Sequence, residues 1–337
     1  MRPFDFFRAE TGMGALTAFT ASQQSSAQVT QYLAGGTTLL DLMKLDVMRP
    51  THIIDINHLA DGRMGRIEVS DRGLFLGALA RMADVADHPD VQRSFPMIAH
   101  SLQLAASAQI RNMASLGGNV LQRTRCTYFR DVSYGNCNKR SPGSGCAALE
   151  GVNRMHAVLG ASDQCIATYP GDFAQALIAL QAGVEIAGPA GSQLVPFARL
   201  HRTPGSTPHI ETILAEGDLI SGFVIPTTPF ARRSLFLKIR DRESYEFALA
   251  SAAVALDLDG ERIREARIAL GGVATVPWRA DEAEAMLQDK DASEGAFQAA
   301  AEAAFRTAEP RGHNAFKIEL GKRTLVRALS EAAALNV

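Results

Sequence analysis

Four cysteines, Cys126, Cys137, Cys146 and Cys165, fall within one forty-residue stretch of a 337-residue chain that has no others. Four thiolates are the number that closes either a tetrahedral zinc site or a [4Fe–4S] cluster. The intervening runs of ten, eight and eighteen residues lack the close pairs, about two to four residues apart, that structural zinc sites present. The wide spacing favours a larger inorganic object. Arg123, Arg125, Arg130, Lys139 and Arg140 crowd the same stretch, although the whole chain carries a formal net charge of -2. Basic neighbours stabilise a thiolate-bound cluster and raise its potential. Free buried cysteines or disulfides are the alternative, but unrelated cysteines would scatter along the chain.

Two glycine pairs offer a different chemistry. In Leu33-Ala34-Gly35-Gly36-Thr37-Thr38-Leu39 the glycines let backbone N–H groups approach a phosphate, and a helix starting at Leu39 would add its positive end. A second segment, 109–119, sets Gly117 and Gly118 among Ser115 and Asn119. Either run alone also reads as an ordinary turn; together they suit a dinucleotide held between two parts of the chain. Lys238 would stabilise negative charge on a reduced flavin if its strand faced the ring, and otherwise reads as a solvated strand end. The eight histidines show no metal-ligand spacing, and no serine or cysteine stands in a nucleophile motif.

The elements that must position these residues follow from periodicity. A strand over 29–34, a helix over 39–48 stopped by Pro50 and a strand over 53–56 form one unit. Alternation around Asp71-Arg72-Gly73 predicts a hairpin over 67–76, and helical patterns cover 81–87 and 97–106. From 112 to 145 the chain is too poor in periodic apolar residues for a regular element. A helix over 173–182 and a strand over 184–187 follow. Pro226 and Pro229 mark a boundary, after which strands over 235–239, 248–257 and 263–270 precede Ala-rich helices ending in an amphipathic one over 316–335. The last part thus predicts a small antiparallel sheet backed by helices.

Nearly half the residues are hydrophobic (47%), enough for two or three packed domains. The slight negative charge leaves no positive field for nucleic acid. No apolar run approaches the length that spans a bilayer, and the first residues lack a secretory signal.

Taken together these motifs resemble the FAD-binding medium subunit of the xanthine dehydrogenase (molybdenum hydroxylase) family over essentially the whole chain. The inserted cysteines, in Thr124-Arg125-Cys126, Cys137-Asn138-Lys139-Arg140, Gly143-Ser144-Gly145-Cys146 and Cys165-Ile166, are similar to those of the iron–sulfur-containing FAD subunit of bacterial periplasmic aldehyde oxidoreductases. The resemblance implies an α+β fold: a two-part FAD-binding domain of the vanillyl-alcohol-oxidase type over 1–58 and 59–226, with the [4Fe–4S] loop at about 120–166, then a C-terminal domain of the CO dehydrogenase flavoprotein type over 227–337. It implies that Leu33 to Leu39 hold the FAD pyrophosphate, that Ser115, Gly118 and Asn119 complete the site, and that Ile220 and Lys238 flank the isoalloxazine. Asp172 matches a cofactor residue, although Tyr169-Pro170-Gly171 departs from the family's usual His-Pro-Ser. Cys126, Cys137, Cys146 and Cys165 become ligands of [4Fe–4S].

By the same resemblance the chain transfers electrons without transforming substrate. Its implied partners are a large molybdenum-cofactor subunit, which oxidises aldehydes, a small [2Fe–2S] subunit and an external electron acceptor. A periplasmic location through co-export with a signal-bearing partner is implied, with a cytoplasmic one as the alternative. Two other functions fit the residues alone: a self-sufficient flavin oxidoreductase, which lacks an evident catalytic base, and a nucleotide-binding protein with structural zinc.

Overall fold

The computed structural model describes residues 1–23 and 28–337. Near the N-terminus β1 (Asp5–Arg8), β2 (Thr30–Leu33) and β3 (His52–Asp55) form a parallel sheet in the order β1-β3-β2. Parallel strands need crossover connections, and these carry α1 (Gly12–Ser22) and α2 (Leu39–Lys44). Thr11 caps α1 by accepting from Gly14 N–H at 3.0 Å.

The expected hairpin is β4 (Ile67–Ser70) and β5 (Gly73–Gly77). After it come α3 (Met82–Asp87), α4 (Pro89–Ser94), α5 (Pro96–Gln103) and α6 (Ala108–Met113). The stretch 112–145, expected to lack regular structure, contains α7 (Leu116–Val120) and α8 (Thr127–Arg130). At five and four residues neither completes enough turns to display a 3.6-residue period. Next come α9 (Phe173–Ala179), β6 (Gly183–Gly188), β7 (Gly191–Pro196) and β8 (Leu219–Pro226). β8 is the central strand of an antiparallel sheet ordered β4-β5-β8-β6-β7. It buries residues on both faces, so it lacks the apolar–polar alternation that marks a half-exposed strand.

The C-terminal part is the expected antiparallel sheet with helices: β9 (Ser234–Ile239), β10 (Ala250–Asp259), β11 (Arg262–Gly271) and β12 (Trp278–Arg279), then α10 (Asp281–Leu287), α11 (Glu294–Ala304) and α12 (Phe316–Ala333). This sheet is buried on both sides. Val254, Leu256, Ile268 and Leu270 share a core with Leu325 and Leu329 of α12, while Ala253, Ala255 and Ala269 share the other core with Phe173 of α9 and Phe223 of β8. Small side chains on that face let α9 approach the strands closely, and the common core joins the C-terminal part to the five-stranded sheet. Among the described residues no helix is long and apolar enough to cross a membrane.

Candidate cofactor site

A cavity of about 520 Å³ opens between the parallel sheet, the turn into α7 and β8, within the size range of small-molecule and cofactor sites. Ala34, Gly35, Gly36, Thr37, Thr38 and Leu39 line one side. Gly36 sits at φ +74°, a left-handed conformation that costs glycine little. Among the described residues the N–H groups of Gly35, Gly36, Thr37 and Thr38 find no backbone acceptor, whereas Leu40 N–H donates to Gly36 O at 3.0 Å. Successive free N–H groups beside a cavity make an anion cradle. α2 has only six residues, so the cradle rests on these amides rather than on a helix dipole.

The two glycine loops meet directly. A Cβ on Gly35 would lie 2.0 Å from Met113 O. Asn57 Nδ2 donates to Ala34 O at 2.9 Å; Arg81 donates to Asn57 Oδ1 at 3.1 Å and also to Met113 O. Ser115 and Gly118 line the facing wall, with Ser115 Oγ capping α7 by accepting from Gly118 N–H at 3.3 Å. Ile220 enters from β8. Sequence reasoning missed Phe19 and Tyr32, whose rings pack 5.1 Å apart at the cavity edge. Tyr32 donates to Gly217 O at 2.8 Å, and burial, with Asp218 nearby, raises its phenol pKa.

Four residues expected at the cofactor stand outside this cavity. Leu33 ends β2 beneath the loop, and Asn119 points its amide at Met82 Sδ, 3.4 Å away. Lys238 and Asp172 face each other instead: their side chains are 1% and 3% exposed, with Nζ 2.6 Å from Oδ2. Lys238 also donates to Leu104 O at 3.1 Å. The pairing arises because β9 packs on the α5 end while Asp172 stands immediately before α9, with no side-chain bond to that helix. Burial raises the Asp172 carboxyl, and the ammonium opposes that shift. Lys238→Met would strand a buried carboxylate and should destabilise the protein by about 3–5 kcal/mol, read as a lower urea midpoint with flavin content retained in the folded fraction. Full stability with lost flavin would return Lys238 to the ring.

The four cysteines line a single small cavity. Its frame is local. Cys137 and Cys146 pair as an antiparallel bridge, Cys137 N–H donates to Ser144 Oγ at 3.0 Å, and Asn138 N–H donates to Gly145 O at 2.7 Å. Gly143 and Gly145 have φ of +83° and +95°, which allows the tight return. The hydrogen bond from Cys165 lowers Cys146 to about 6 and raises Cys165, a thiolate–thiol pair. Burial pushes Cys126 up to about 11. Among the described residues no three His, Cys, Asp or Glu groups close on one ion position. A four-iron cluster does not require that, since each thiolate binds a different iron. Four thiols around one cavity match the ligand number of a four-iron cluster or of a tetrahedral zinc site.

α2 joins the two places. Its first residue, Leu39, lines the large cavity, whereas Leu42 packs with Phe129 and Cys137, and Asp41 accepts from Arg130 at 2.8 Å and Arg125 at 3.2 Å. A second link, absent from the sequence reading, is Glu211 on the cavity wall. Its Oε1 accepts from Arg123 Nη2 at 2.9 Å and lies 3.1 Å from Lys139 Nζ. Burial would raise this carboxyl, but the two cations outweigh it and hold it below the ordinary range. The crowded basic residues are thus partly compensated: Arg123 and Lys139 share Glu211, Arg125 and Arg130 share Asp41, and Arg140 donates to Tyr128 O and Phe129 O, both at 2.8 Å. Positive charge remains in excess around the thiols.

Residues 2–228 match the family model for the FAD binding domain in molybdopterin dehydrogenase, and residues 236–332 the CO dehydrogenase flavoprotein C-terminal domain. The aldehyde oxidoreductase FAD-binding subunit PaoB of Escherichia coli strain K12 is 46% identical over 336 residues, covering 99% of each chain. The carbon monoxide dehydrogenase medium chain of Hydrogenophaga pseudoflava is 27% identical, covering 97% of this chain and 96% of that one. A solved structure of carbon monoxide dehydrogenase from the same organism superposes with a TM-score of 0.75 at 26% identity, covering 99% of this chain and 98% of that chain.

Proposed function

Since the chain belongs to the FAD-binding medium-subunit family of the molybdenum hydroxylases, we propose that it is the electron-transfer subunit of an aldehyde oxidoreductase and carries a [4Fe–4S] cluster beside its FAD. The observation that carries this reading is the placement of an anion cradle and four convergent thiols on two sides of the six-residue α2. When bound, FAD accepts and releases electrons singly or in pairs and the cluster exchanges them singly. The chain's own residues position these groups. The free amides of Gly35 to Thr38 hold the pyrophosphate, and Ser115, Gly118 and Ile220 close the opposite wall. Cys126, Cys137, Cys146 and Cys165 ligate the irons, with Arg123, Lys139 and Glu211 spanning the gap between cavity and loop.

Substrate oxidation belongs to partners: a large molybdenum subunit and a small [2Fe–2S] subunit deliver electrons, and an external acceptor removes them. This assignment draws on the aldehyde oxidoreductase relative. Location in the periplasm, reached by co-export with a signal-bearing partner, accompanies the same likeness; a cytoplasmic complex is the alternative. The purified chain loaded with FAD is expected to oxidise no aromatic aldehyde, and activity is expected to appear when both partner subunits are added. Steady turnover by the chain alone would overturn the electron-transfer assignment in favour of a self-sufficient flavoenzyme.

A further inference from the structure

One buried histidine stands against the cysteine loop. His156 is 5% exposed, and its Nε2 lies 3.1 Å from Cys126 Sγ. The other ring nitrogen, Nδ1, is buried with no hydrogen-bond partner among the described residues. That asymmetry fixes the tautomer. A buried N–H left without an acceptor is rare in folded proteins, so the ring proton belongs on Nε2, which faces the sulfur. A thiol could return a weak hydrogen bond, but a thiolate on iron has no proton to give and only accepts.

The imidazole is held there by groups that involve no sulfur. His156 N–H donates to Asn153 O at 2.9 Å, Val158 N–H to Val273 O at 2.8 Å and Asn314 Nδ2 to Ala157 O at 3.0 Å. Lys317 of α12, fully buried, donates to Met155 O at 3.0 Å and to Gly272 O at 2.6 Å. The backbone on both sides of His156 is thus tied to the C-terminal part. Cys126 has its own anchor: its N–H donates to Thr124 Oγ1 at 3.2 Å, and that hydroxyl donates to Thr168 O at 2.9 Å. The N···S contact is therefore set by the fold. Elsewhere among the described residues the cysteine sulfurs receive backbone N–H groups, as from Ala167 to Cys165 Sγ at 3.4 Å, or one another. His156 is the one other side chain that reaches them.

We propose that His156 is a positioning residue acting through Cys126: its Nε2–H donates to Sγ and raises the reduction potential of the [4Fe–4S] cluster. The inference rests on the cluster assignment proposed above. Reduction adds one electron, delivered in that reading through the partner subunits, and no bond forms or breaks. The added charge spreads onto the thiolate sulfurs, so an N–H dipole aimed at one of them stabilises the reduced state more than the oxidised one, and burial keeps water from screening it.

The test is an EPR-monitored redox titration of the full chain loaded with FAD and cluster. It compares the parent with His156→Leu, similar in bulk but without a donor, and with His156→Gln, whose amide nitrogen reaches toward the place of Nε2. At a fixed applied potential the ratio of reduced to oxidised cluster should fall about tenfold in His156→Leu, a midpoint lower by about 59 mV for one electron, and His156→Gln should recover most of the loss. A purely structural role would change stability and iron content but leave the midpoint of the retained cluster unmoved. Should neither variant keep its iron, the parent labelled with the heavy nitrogen isotope in histidine alone decides: pulsed EPR of the reduced cluster should show a histidine nitrogen coupling, which backbone donors cannot supply. An unmoved midpoint in iron-loaded His156→Leu, equal shifts in the two variants, or no histidine coupling in the parent overturns the role of His156 and leaves the cluster standing. A parent without iron overturns the cluster itself, and the role of His156 falls with it.

Discussion

Replacing Gly35 with valine is expected to strip most of the flavin from the purified protein while leaving a folded chain. The reason is a contact that no side chain can relieve. A Cβ at Gly35 would meet Met113 O at 2.0 Å and Met113 C at 2.8 Å, and both atoms are backbone. Arg81 donates to both the Met113 carbonyl and Asn57 Oδ1, and Asn57 in turn donates to Ala34 O, so the loops must part to admit the branched side chain. Parting them scatters the free amides of Gly35 to Thr38 and removes the cradle. Gly36→Val acts differently: its Cβ would meet only side-chain atoms, Leu40 Cδ1 at 3.0 Å, Leu40 Cγ at 3.3 Å and Leu33 Cδ1 at 3.4 Å, which can give way. Its cost is the left-handed φ of +74°, about 1–2 kcal/mol for a residue with a Cβ. Flavin per chain, from visible absorbance, should therefore rank parent, then Gly36→Val, then Gly35→Val, with Gly35→Val about tenfold or more below the parent. Far-ultraviolet dichroism separates this from global unfolding. Full flavin occupancy in Gly35→Val would remove the loop from the site.

The contrast between these glycines shows what the sequence makes legible. A glycine pair after a strand announces close approach, because absent side chains are visible in the sequence itself. What approaches is not visible, since Met113 lies far along the chain and is brought there by the Arg81 and Asn57 contacts. The same limit hid Glu211 and Tyr32, whose neighbours are tertiary. For Lys238 the limit is related: β9 is readable as a strand, but its pattern could not say that the ammonium would turn to Asp172, a residue distant in the chain. The C-terminal hairpin was legible because Asp259-Gly260 supplies a turn between two long β-branched and alanine-rich runs. β1 and α1 escaped notice because Phe6 and Phe7 are both exposed on β1, leaving no alternation, and because α1 has apolar residues on most sides. The cysteines were legible as a set by count and proximity, whereas their neighbours' charges were only half read. Opposite carboxylates, Asp41 and Glu211, come from other parts of the chain.

That pairing bears on Cys146→Ser, which is expected to remove the cluster and spare most of the flavin. The parent thiol is poised as a thiolate, lowered to about 6 by the Cys165 hydrogen bond, and iron–sulfur ligation requires the deprotonated form. A serine hydroxyl keeps its proton at neutral pH and binds iron weakly, so iron per chain should fall about tenfold or more. Were the five basic residues free, losing the cluster's negative charge would drive the loop apart. Four of them are tied to Asp41 and Glu211, and Arg140 to backbone carbonyls. The backbone frame also survives, because Asn138 N–H to Gly145 O at 2.7 Å and Ala147 N–H to Asn136 O at 2.9 Å involve no sulfur. Disorder should therefore be confined to the few residues around the lost ligand, and α2, held by Asp41 on its far side, should keep the glycine loop in place. The measurements are iron, zinc and flavin per chain with the low-temperature EPR signal of the dithionite-reduced protein. One zinc and no iron in the parent would remove the cluster, and an unchanged signal in the variant would remove Cys146 from its ligands. Flavin lost in step with iron would show that the anchors through Asp41 and Glu211 are too weak to hold the cavity wall once the cluster is gone.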